Sequence, residues 1–285
     1  MGMIGITTGD PKGIGPFLVR TFLESVANAP QKYKIFGPLE VHPEYSDAQA
    51  AEITFQSLRA SIEAVRAGEI QILVNAPVNK KRLSLIEPSF SGHTEWLSQQ
   101  WDAKPLSLFI TDTPSPLRIS LVTRHISLET VLDELNAISI LETIRGTHQA
   151  MEELFYLSKP KIAVCGLNPH AGEQGLFGNE EKKKILPAIL QAQKEGIRCY
   201  GPESPDTVFW RAKEGEFDAV VALYHDQGLI PIKTLAFRET VQITCGLPIL
   251  RLSVDHGTAE HWVDKPHKID MKNFQITMRW AEKFL

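Results

Sequence analysis

The stretch 217-FDAVVALYHDQGLIPIK-233 decides the fold class. Apart from Asp218, residues 217–224 are apolar, and the run is far too short for a membrane helix, which takes about 20 residues. A continuous apolar run bounded by loop residues predicts a strand buried on both faces, the habit of parallel sheets. It ends on His225, Asp226, Gln227 and Gly228. Two further runs behave alike: residues 117–122 (LRISLV) lead into Thr123, Arg124 and His125, and residues 161–166 (KIAVCG) lead into Asn168, Pro169 and His170. In an open α/β sheet the carboxyl ends of the strands line the ligand crevice. Three strands that each end in a histidine therefore point to three imidazoles able to meet around one divalent ion, with a coordination position left open for catalysis. A histidine standing alone is more often structural, and no HExxH or paired CxxC motif accompanies these three.

Outward from that core, residues 3–8 predict a first strand, followed by the loop 8-TGDPKGIGP-16 and an apolar-periodic segment over 14–26. Strand, Gly/Pro loop and helix form an α/β opening whose helix start can receive an anion. The spacing is not GxGxxG, and a tight turn is the alternative explanation. Residues 34–36 predict a second strand. Residues 47–67 predict a helix with Phe55, Leu58, Ile62 and Val65 on one face and Gly68 at its end. A strand over 70–74 empties into residues 75–96, a long irregular loop of the kind that carries function. His93 and Thr94 stand there just before a predicted helix, where capping or packing is the alternative role for His93. Strands over 106–110 and 117–122 flank the turn TDTPSP. Two helices are expected after His125. The second opens at Ser139 with Glu142 as capping-box partner, turns Ile140, Ile144, Met151 and Phe155 inward, and carries His148 as a surface or packing residue. A helix over 179–195, a loop over 199–207, a short helix, strands over 241–244 and 250–254, and a helix over 270–284 complete the pattern. With no repeat and no clean linker, any lobes are interleaved in sequence.

The 285 residues leave room for one large domain or two lobes, and 43 % hydrophobic against 22 % charged residues excludes a disordered chain. A formal net charge of −4 gives no electrostatic footprint for nucleic acid. Three cysteines, with Cys165 inside a predicted strand, fit reduced thiols in a cytoplasmic protein better than a disulfide framework. MGMIGITTGD lacks the basic and long apolar regions of a secretory signal, and its strand-like residues argue against myristoylation after Met1. Lys233 and Arg251 are cations embedded in apolar runs, with Gln242 nearby in the chain. An anionic ligand, phosphate or carboxylate, would justify them, whereas solvated surface is the ordinary alternative.

Taken together, TTGDPKGIGP, NAPVNK, SGHTE, TRHISL, CGLNPHAGEQGLFGNEE, GPESPDT, YHDQGLIPIK and ITCGLPILRLSVDHGTA make the chain resemble the 4-hydroxythreonine-4-phosphate dehydrogenase (PdxA) family over nearly its whole length. The resemblance implies one catalytic unit over 1–285, built as two sequence-interleaved α/β lobes around a central cleft, with the isocitrate/isopropylmalate dehydrogenase-like fold. It implies His125, His170 and His225 as metal ligands, and His93, Thr94, Lys233 and Arg251 as substrate-binding residues, with Gln242 where the family has asparagine. Asn168, Asp255, His256, Gly257 and Thr258 would border NAD or NADP. One divalent ion, zinc first and magnesium or cobalt otherwise, and a homodimer with shared active sites are also implied. So is a cytoplasmic enzyme with no nucleic acid and no membrane.

Three departures qualify the resemblance. Phe17 stands where the family has glutamate after GIGP, the chain is shortened between about 37 and 51, and EHWVDKPHK follows DHGTA in place of a Gly-rich stretch. The first bears on the cleft entrance and the third on cofactor contacts; with Gln242 they allow a related substrate. The expected reaction is metal-dependent, NAD(P)-linked oxidation of 4-phosphooxy-L-threonine to a 3-oxo acid that decarboxylates to 3-amino-2-oxopropyl phosphate, on the route to pyridoxal phosphate. The alternatives are a dehydrogenase of threonate or erythronate phosphate, a metal-dependent hydrolase or aldolase, and a non-catalytic relative. The general base is not legible, with Asp226 or a metal-bound water as the candidates.

Overall fold

Apolar runs become strands and 3.6-periodic segments become helices in the computed structural model, which describes residues 2–26 and 32–285. Met1, part of the N-terminal reading above, lies outside the described residues. The chain runs β1 (Ile4–Thr7), α1 (Gly15–Ser25), β2 (Tyr33–Phe36), α2 (Asp47–Arg66), β3 (Ile72–Asn75), α3 (Lys80–Leu83), α4 (His93–Trp101), β4 (Leu106–Thr111) and β5 (Arg118–Leu121). It continues through α5 (Leu128–Glu134), α6 (Ala137–Glu153), β6 (Ile162–Cys165), a short turn at Pro169–Gly175, a π turn at Glu181–Ile185, α7 (Leu186–Lys194), β7 (Cys199–Glu203), α8 (Val208–Lys213) and β8 (Ala219–Ala222). It closes with α9 (His225–Ala236), β9 (Thr240–Cys245), β10 (Leu250–Val254) and α10 (Lys272–Phe284).

Two units emerge: Met1–Pro105 with Val241–Leu285, and Leu106–Thr240. In the first, strands lie in the order β2-β1-β3-β10-β9, parallel except for the antiparallel pair β9–β10. In the second the order is β4-β5-β8-β6-β7, parallel except for β4–β5. The organising run is the central strand of this second set. All four β8 residues are buried, and α6 and α9 both pack against it. That is the environment a continuous apolar strand requires. Cys165 and Cys199 are buried free thiols of the same core, and burial pushes the Cys199 thiol up to about 12.

Several local expectations differ from what is found. Residues 75–96 are not irregular throughout, because Asn79 caps the turn α3 by accepting the Arg82 amide. Helix α6 starts two residues before Ser139. Asn136 is its N-cap and Ser139 returns the capping-box bond, so Glu142 is not needed. Phe155 lies beyond that helix, under the Arg118 guanidinium at 4.7 Å. Residues 199–203 form edge strand β7, because β6 offers a parallel partner to a segment whose Gly and Pro read as a loop.

Candidate active site

The three histidines follow three neighbouring parallel strands, β5, β8 and β6. The ends of β5 and β8 are tied together: Val122 and Thr123 amides donate to Ala222 and Leu223 carbonyls, and the Thr123 hydroxyl also donates to Leu223 at 2.8 Å. This brings His125 and His225 side by side, ring centroids 5.7 Å apart and planes inclined by 44°. Two imidazoles on one tetrahedral zinc, with Zn–N of about 2.0–2.1 Å, place their centroids roughly 5 Å apart. The pair therefore fits two ligand positions of a divalent cation.

The motif HDQG sets up this end of the sheet residue by residue. Nδ1 of His225 lies 2.7 Å from Oδ1 of Asp226, which fixes the ring and leaves Nε2 for other work. Gln227 is buried and bridges two strand ends, accepting from the Leu223 amide at 2.7 Å and donating to the Gly166 carbonyl at 2.8 Å. Gly228 allows α9 to approach the sheet, since a Cβ there would stand 2.8–3.1 Å from Leu121, Ile119 and Ala222. Lys233 comes two helical turns after His225, about 12 Å along the axis at 1.5 Å per residue. Its ammonium sits 5.6 Å from the Phe237 ring.

His170 does not join the pair. It begins five consecutive residues, His170 to Gln174, with left-handed backbone angles. Its ring is 6.4 Å from that of Phe177. Among the described residues no group of three His, Cys, Asp or Glu is placed to hold a metal ion. The same loop is anchored by the buried Glu181, which accepts from the Leu167 and Asn168 amides at 2.9 and 2.7 Å. The Asn168 side-chain amide donates to Glu180 at 2.8 Å and Glu181 at 3.1 Å, which gives it a structural task.

In the first unit a second constellation forms around Arg251, inside strand β10. Its guanidinium is 2 % exposed and donates to Asn75 Oδ1 at 2.8 Å, Thr244 Oγ1 at 3.3 Å and Thr94 Oγ1 at 3.4 Å. All three acceptors are neutral. Burial pulls its pKa down to about 10, with Glu95 acting in the opposite sense. His93 is the first residue of α4 and caps nothing; the N-cap is Gly92. Its Nε2 is buried without a hydrogen-bond partner among the described residues. Burial, followed by the positive charges of Arg251 and Lys80, holds His93 well below the usual histidine range, so the ring is neutral. Gln242 stands opposite Ser253 across the β9–β10 ladder, and its Oε1 accepts the Ser253 hydroxyl at 3.0 Å. Its side-chain NH₂ is left as the donor.

The loop after β10 packs on the Gly/Pro loop before α1. Ile14 donates its amide to the Thr258 carbonyl at 3.0 Å, and a Cβ on Gly13 would lie 2.9 Å from Thr258. Asp255 is held by its amide to Asn273 Oδ1 at 3.2 Å, and His256 Nδ1 lies 3.0 Å from the Gly257 carbonyl. A Cβ on Gly257 would meet nothing within 4 Å, so backbone there is open to a ligand. Open backbone beside a glycine loop at a helix start fits a dinucleotide.

Sequence reasoning missed what fastens these two loops. Arg82 is buried and bonds Asp10, Asp47 at 2.9 Å, and Glu260 through two bonds at 3.2 and 3.0 Å. Asn79 and Thr258 also donate to Glu260, and Lys12 pairs with Asp47 at 3.2 Å. Burial works against the Glu260 charge, but the bonds from Arg82 and Asn79 outweigh it and keep the carboxyl below its usual range. The only trace in the sequence was that Glu260 begins the segment departing from the family.

Residues 17–276 match the family model described as pyridoxal phosphate biosynthetic protein PdxA. The chain is 37% identical over 306 residues to a 4-hydroxythreonine-4-phosphate dehydrogenase of Desulfosudis oleivorans, covering 90% of this chain and 88% of that one. It is 40% identical over 257 residues to the D-threonate 4-phosphate dehydrogenase of Salmonella typhimurium, covering 87% and 77%. The match with a Symbiobacterium thermophilum homologue spans 62% of that protein. Among solved structures, the Klebsiella pneumoniae 4-hydroxythreonine-4-phosphate dehydrogenase superposes with a TM-score of 0.86 at 31% identity, over 100% of this chain and 99% of that one. The isocitrate dehydrogenase of Methylococcus capsulatus shares the fold at TM-score 0.57, 15% identity, and 100% and 85% coverage.

Proposed function

This chain belongs to the PdxA family, and from that premise we propose that it is a divalent-metal-dependent, NAD(P)-linked dehydrogenase of a phosphorylated four-carbon hydroxy acid, working as a cytoplasmic homodimer. The observation that carries the substrate class is the setting of Arg251: a buried cation whose hydrogen bonds go to three neutral oxygens, beside a neutral imidazole with an unmet Nε2. A buried charge whose hydrogen bonds go to neutral groups is costly, and a phosphate or carboxylate would add hydrogen-bonded negative charge to the field of Glu95, which already favours the charged guanidinium. The Thr94 hydroxyl and His93 Nε2–H would complete its hydrogen bonds.

Bound NAD(P)⁺ would supply the hydride acceptor for carbon 3 of the substrate, while the hydroxyl proton would leave to solvent or a base. The resulting 3-oxo acid loses its carboxylate as CO₂, and the enolate left behind takes up a proton. His125 and His225 would hold the divalent ion, with His170 as the proposed third ligand. Such an ion would act as a Lewis acid toward the substrate's hydroxyl oxygen. Asp226 orients His225 and is assigned that role rather than proton abstraction. With 4-phosphooxy-L-threonine the product is 3-amino-2-oxopropyl phosphate.

Gln242 favours a second reading of the substrate. With its Oε1 engaged by Ser253, the side chain offers a donor, which suits a 2-hydroxyl and not a 2-ammonium group. D-threonate 4-phosphate carries that hydroxyl. The test is reduction of NAD⁺ or NADP⁺, followed by nicotinamide absorbance, with both phosphorylated substrates, erythronate 4-phosphate and the unphosphorylated acids. Turnover confined to phosphorylated acids is expected, and the preferred member separates the two readings. No nicotinamide reduction with any of them, in the presence of added divalent ions, would return the metal-dependent hydrolase or aldolase and the non-catalytic relative to consideration.

A further inference from the structure

One residue, Leu223, ties together the strand ends of the second unit that lead to the histidines. Its carbonyl accepts the Thr123 amide at 3.2 Å and the Thr123 hydroxyl at 2.8 Å, two residues before His125. Its amide donates to Gln227 Oε1 at 2.7 Å, and Gln227 follows His225 by two residues. The other end of that side chain, Nε2, donates to the Gly166 carbonyl at 2.8 Å. Gly166 in turn lies against the residue after His170. A Cβ on Gly166 would stand 2.7 Å from Ala171 Cα and 2.9 Å from Ala171 Cβ, too close for the turn to stay where it is. On another side the turn meets Glu181, whose carboxylate would be 2.6 Å from a Cβ on Gly172. Gln227 and Gly166 are buried, whereas His170 is exposed. The place of His170 is therefore set by the backbone that carries it.

We propose that Gln227 and Gly166 are positioning residues for the third imidazole, together setting how far the His170 turn stands from the pair His125 and His225. The proposal rests on the metal reading above. A glutamine with both polar ends bonded to backbone holds two strand ends at a separation fixed by its own length. An apolar side chain of the same size would fill the space but leave the Leu223 amide and the Gly166 carbonyl without these partners in a buried setting. Gly166 supplies the second constraint, because the absence of a side chain lets Ala171 rest on the end of β6. Neither residue acts on an imidazole directly. Asp226 orients the ring of His225, whereas Gln227 and Gly166 govern where the next ligand stands. Changes to such supporting groups typically cost about 10–100-fold in metal affinity.

The experiment is titration of the full chain with Co²⁺, followed by its visible absorption, with thermal unfolding of each variant as the control for folding. His170→Ala supplies the spectrum and affinity of a site lacking the third imidazole. Gln227→Met removes both bonds of the bridge. Gln227→Glu keeps the acceptor for Leu223 but, ionised, has no donor for Gly166. Gly166→Ala pushes on Ala171 and leaves the bridge itself in place. All three should weaken Co²⁺ by about ten-fold and move the spectrum toward that of His170→Ala. Combined with His170→Ala, Gln227→Glu should weaken the ion no further, because both act on one ligand. A merely structural role would lower unfolding midpoints and leave spectrum and affinity unchanged. Folded Gln227→Glu and Gly166→Ala that bind Co²⁺ as the wild type does would overturn the proposal and leave the metal reading intact. So would undiminished binding in His170→Ala. Wild-type protein that binds no Co²⁺ would remove both. Should Gln227→Met fail to fold, Gln227→Glu and Gly166→Ala decide.

Discussion

The backbone amide of Ile14 donates to the carbonyl oxygen of Thr258 at 3.0 Å, across nearly the whole length of the chain. That bond requires Gly13 to lie flat against Thr258, where a Cβ would stand 2.9 Å from both its Cβ and its carbonyl oxygen. Gly13→Ala should therefore push the two loops apart at a cost of about 1–3 kcal/mol. Gly257→Ala is the internal control, because its Cβ would meet nothing within 4 Å. Thermal unfolding of the two variants should separate them clearly, and equal midpoints would show that the loop contact is not tight.

Arg82 should contribute to the acid limb of stability. Removing it strands the buried Asp10 carboxylate, so Arg82→Ala should cost about 3–5 kcal/mol at neutral pH. Hydrogen bonds from Arg82 and then Lys12 lower the Asp47 carboxyl, and Glu260 is lowered as well. A carboxyl depressed in the folded state contributes stability that is fully present above its unfolded pKa, about 4, and is lost as pH falls through the folded value. Wild-type unfolding midpoints should thus hold steady down to about pH 5 and fall below about pH 4. The Arg82→Ala curve should be flatter in that window, and parallel curves would show that the network is not coupled to protonation.

How much of this was legible depends on the kind of signal. The strands around β8 were, because burial on both faces leaves a continuous apolar run. So were the histidines at their ends, since position after a strand is a local property. Whether those imidazoles converge was not. It depends on the Thr123–Leu223 bond, which joins the strand ends that carry His125 and His225, and on the left-handed turn in which His170 stands. The Arg82 network was illegible because its members come from four separate segments, and a lysine- and arginine-bearing loop carries no mark of which cation is buried. Ser139 was misplaced by two residues at the start of α6 because Asn136 is an equally good cap and closes the same box.

The turn that holds His170 stores strain. Ala171 adopts φ 52° and ψ 41° within the left-handed run, a conformation that costs a non-glycine residue about 1–2 kcal/mol. Ala171→Gly should relieve this, less the extra entropy that glycine loses on folding, for a net gain of up to about 1 kcal/mol. A lowered unfolding midpoint for Ala171→Gly would mean that the left-handed turn is not the conformation in solution.

The bond between His225 Nδ1 and Asp226 should show in metal affinity. Asp226→Asn retains the size of the side chain but weakens its hold on the ring, and such changes typically cost about 10–100-fold in affinity. Titration with Zn²⁺ or Co²⁺ should show that loss for Asp226→Asn, and a greater one for His125→Ala and His225→Ala. His148→Ala, half-buried on α6 and paired with Glu152 at 3.5 Å, should leave metal binding unchanged. Undiminished binding in His125→Ala would place the ion elsewhere.

Arg251 should control affinity for the anionic end of the substrate. Each charge-assisted hydrogen bond is worth about 1.5–3 kcal/mol. Arg251→Ala should therefore raise KM for a phosphorylated substrate by about one to two orders of magnitude. Part of any loss will be structural, because the variant leaves Asn75 Oδ1 without its donor in a buried site. Arg251→Lys separates the contributions: it keeps the charge but loses the fork that reaches Asn75, Thr94 and Thr244 at once. His93 gives a second handle. Because its ring is held neutral well below the usual histidine range, kcat/KM should show no titration limb from it near pH 6.5. His93→Ala should weaken phosphorylated substrates without creating such a limb. The deciding comparison is the ratio of kcat/KM for phosphorylated and unphosphorylated acids in wild type and Arg251→Lys. A ratio that collapses in the variant places the phosphate on Arg251, and an unchanged ratio assigns the guanidinium to the carboxylate or to the fold.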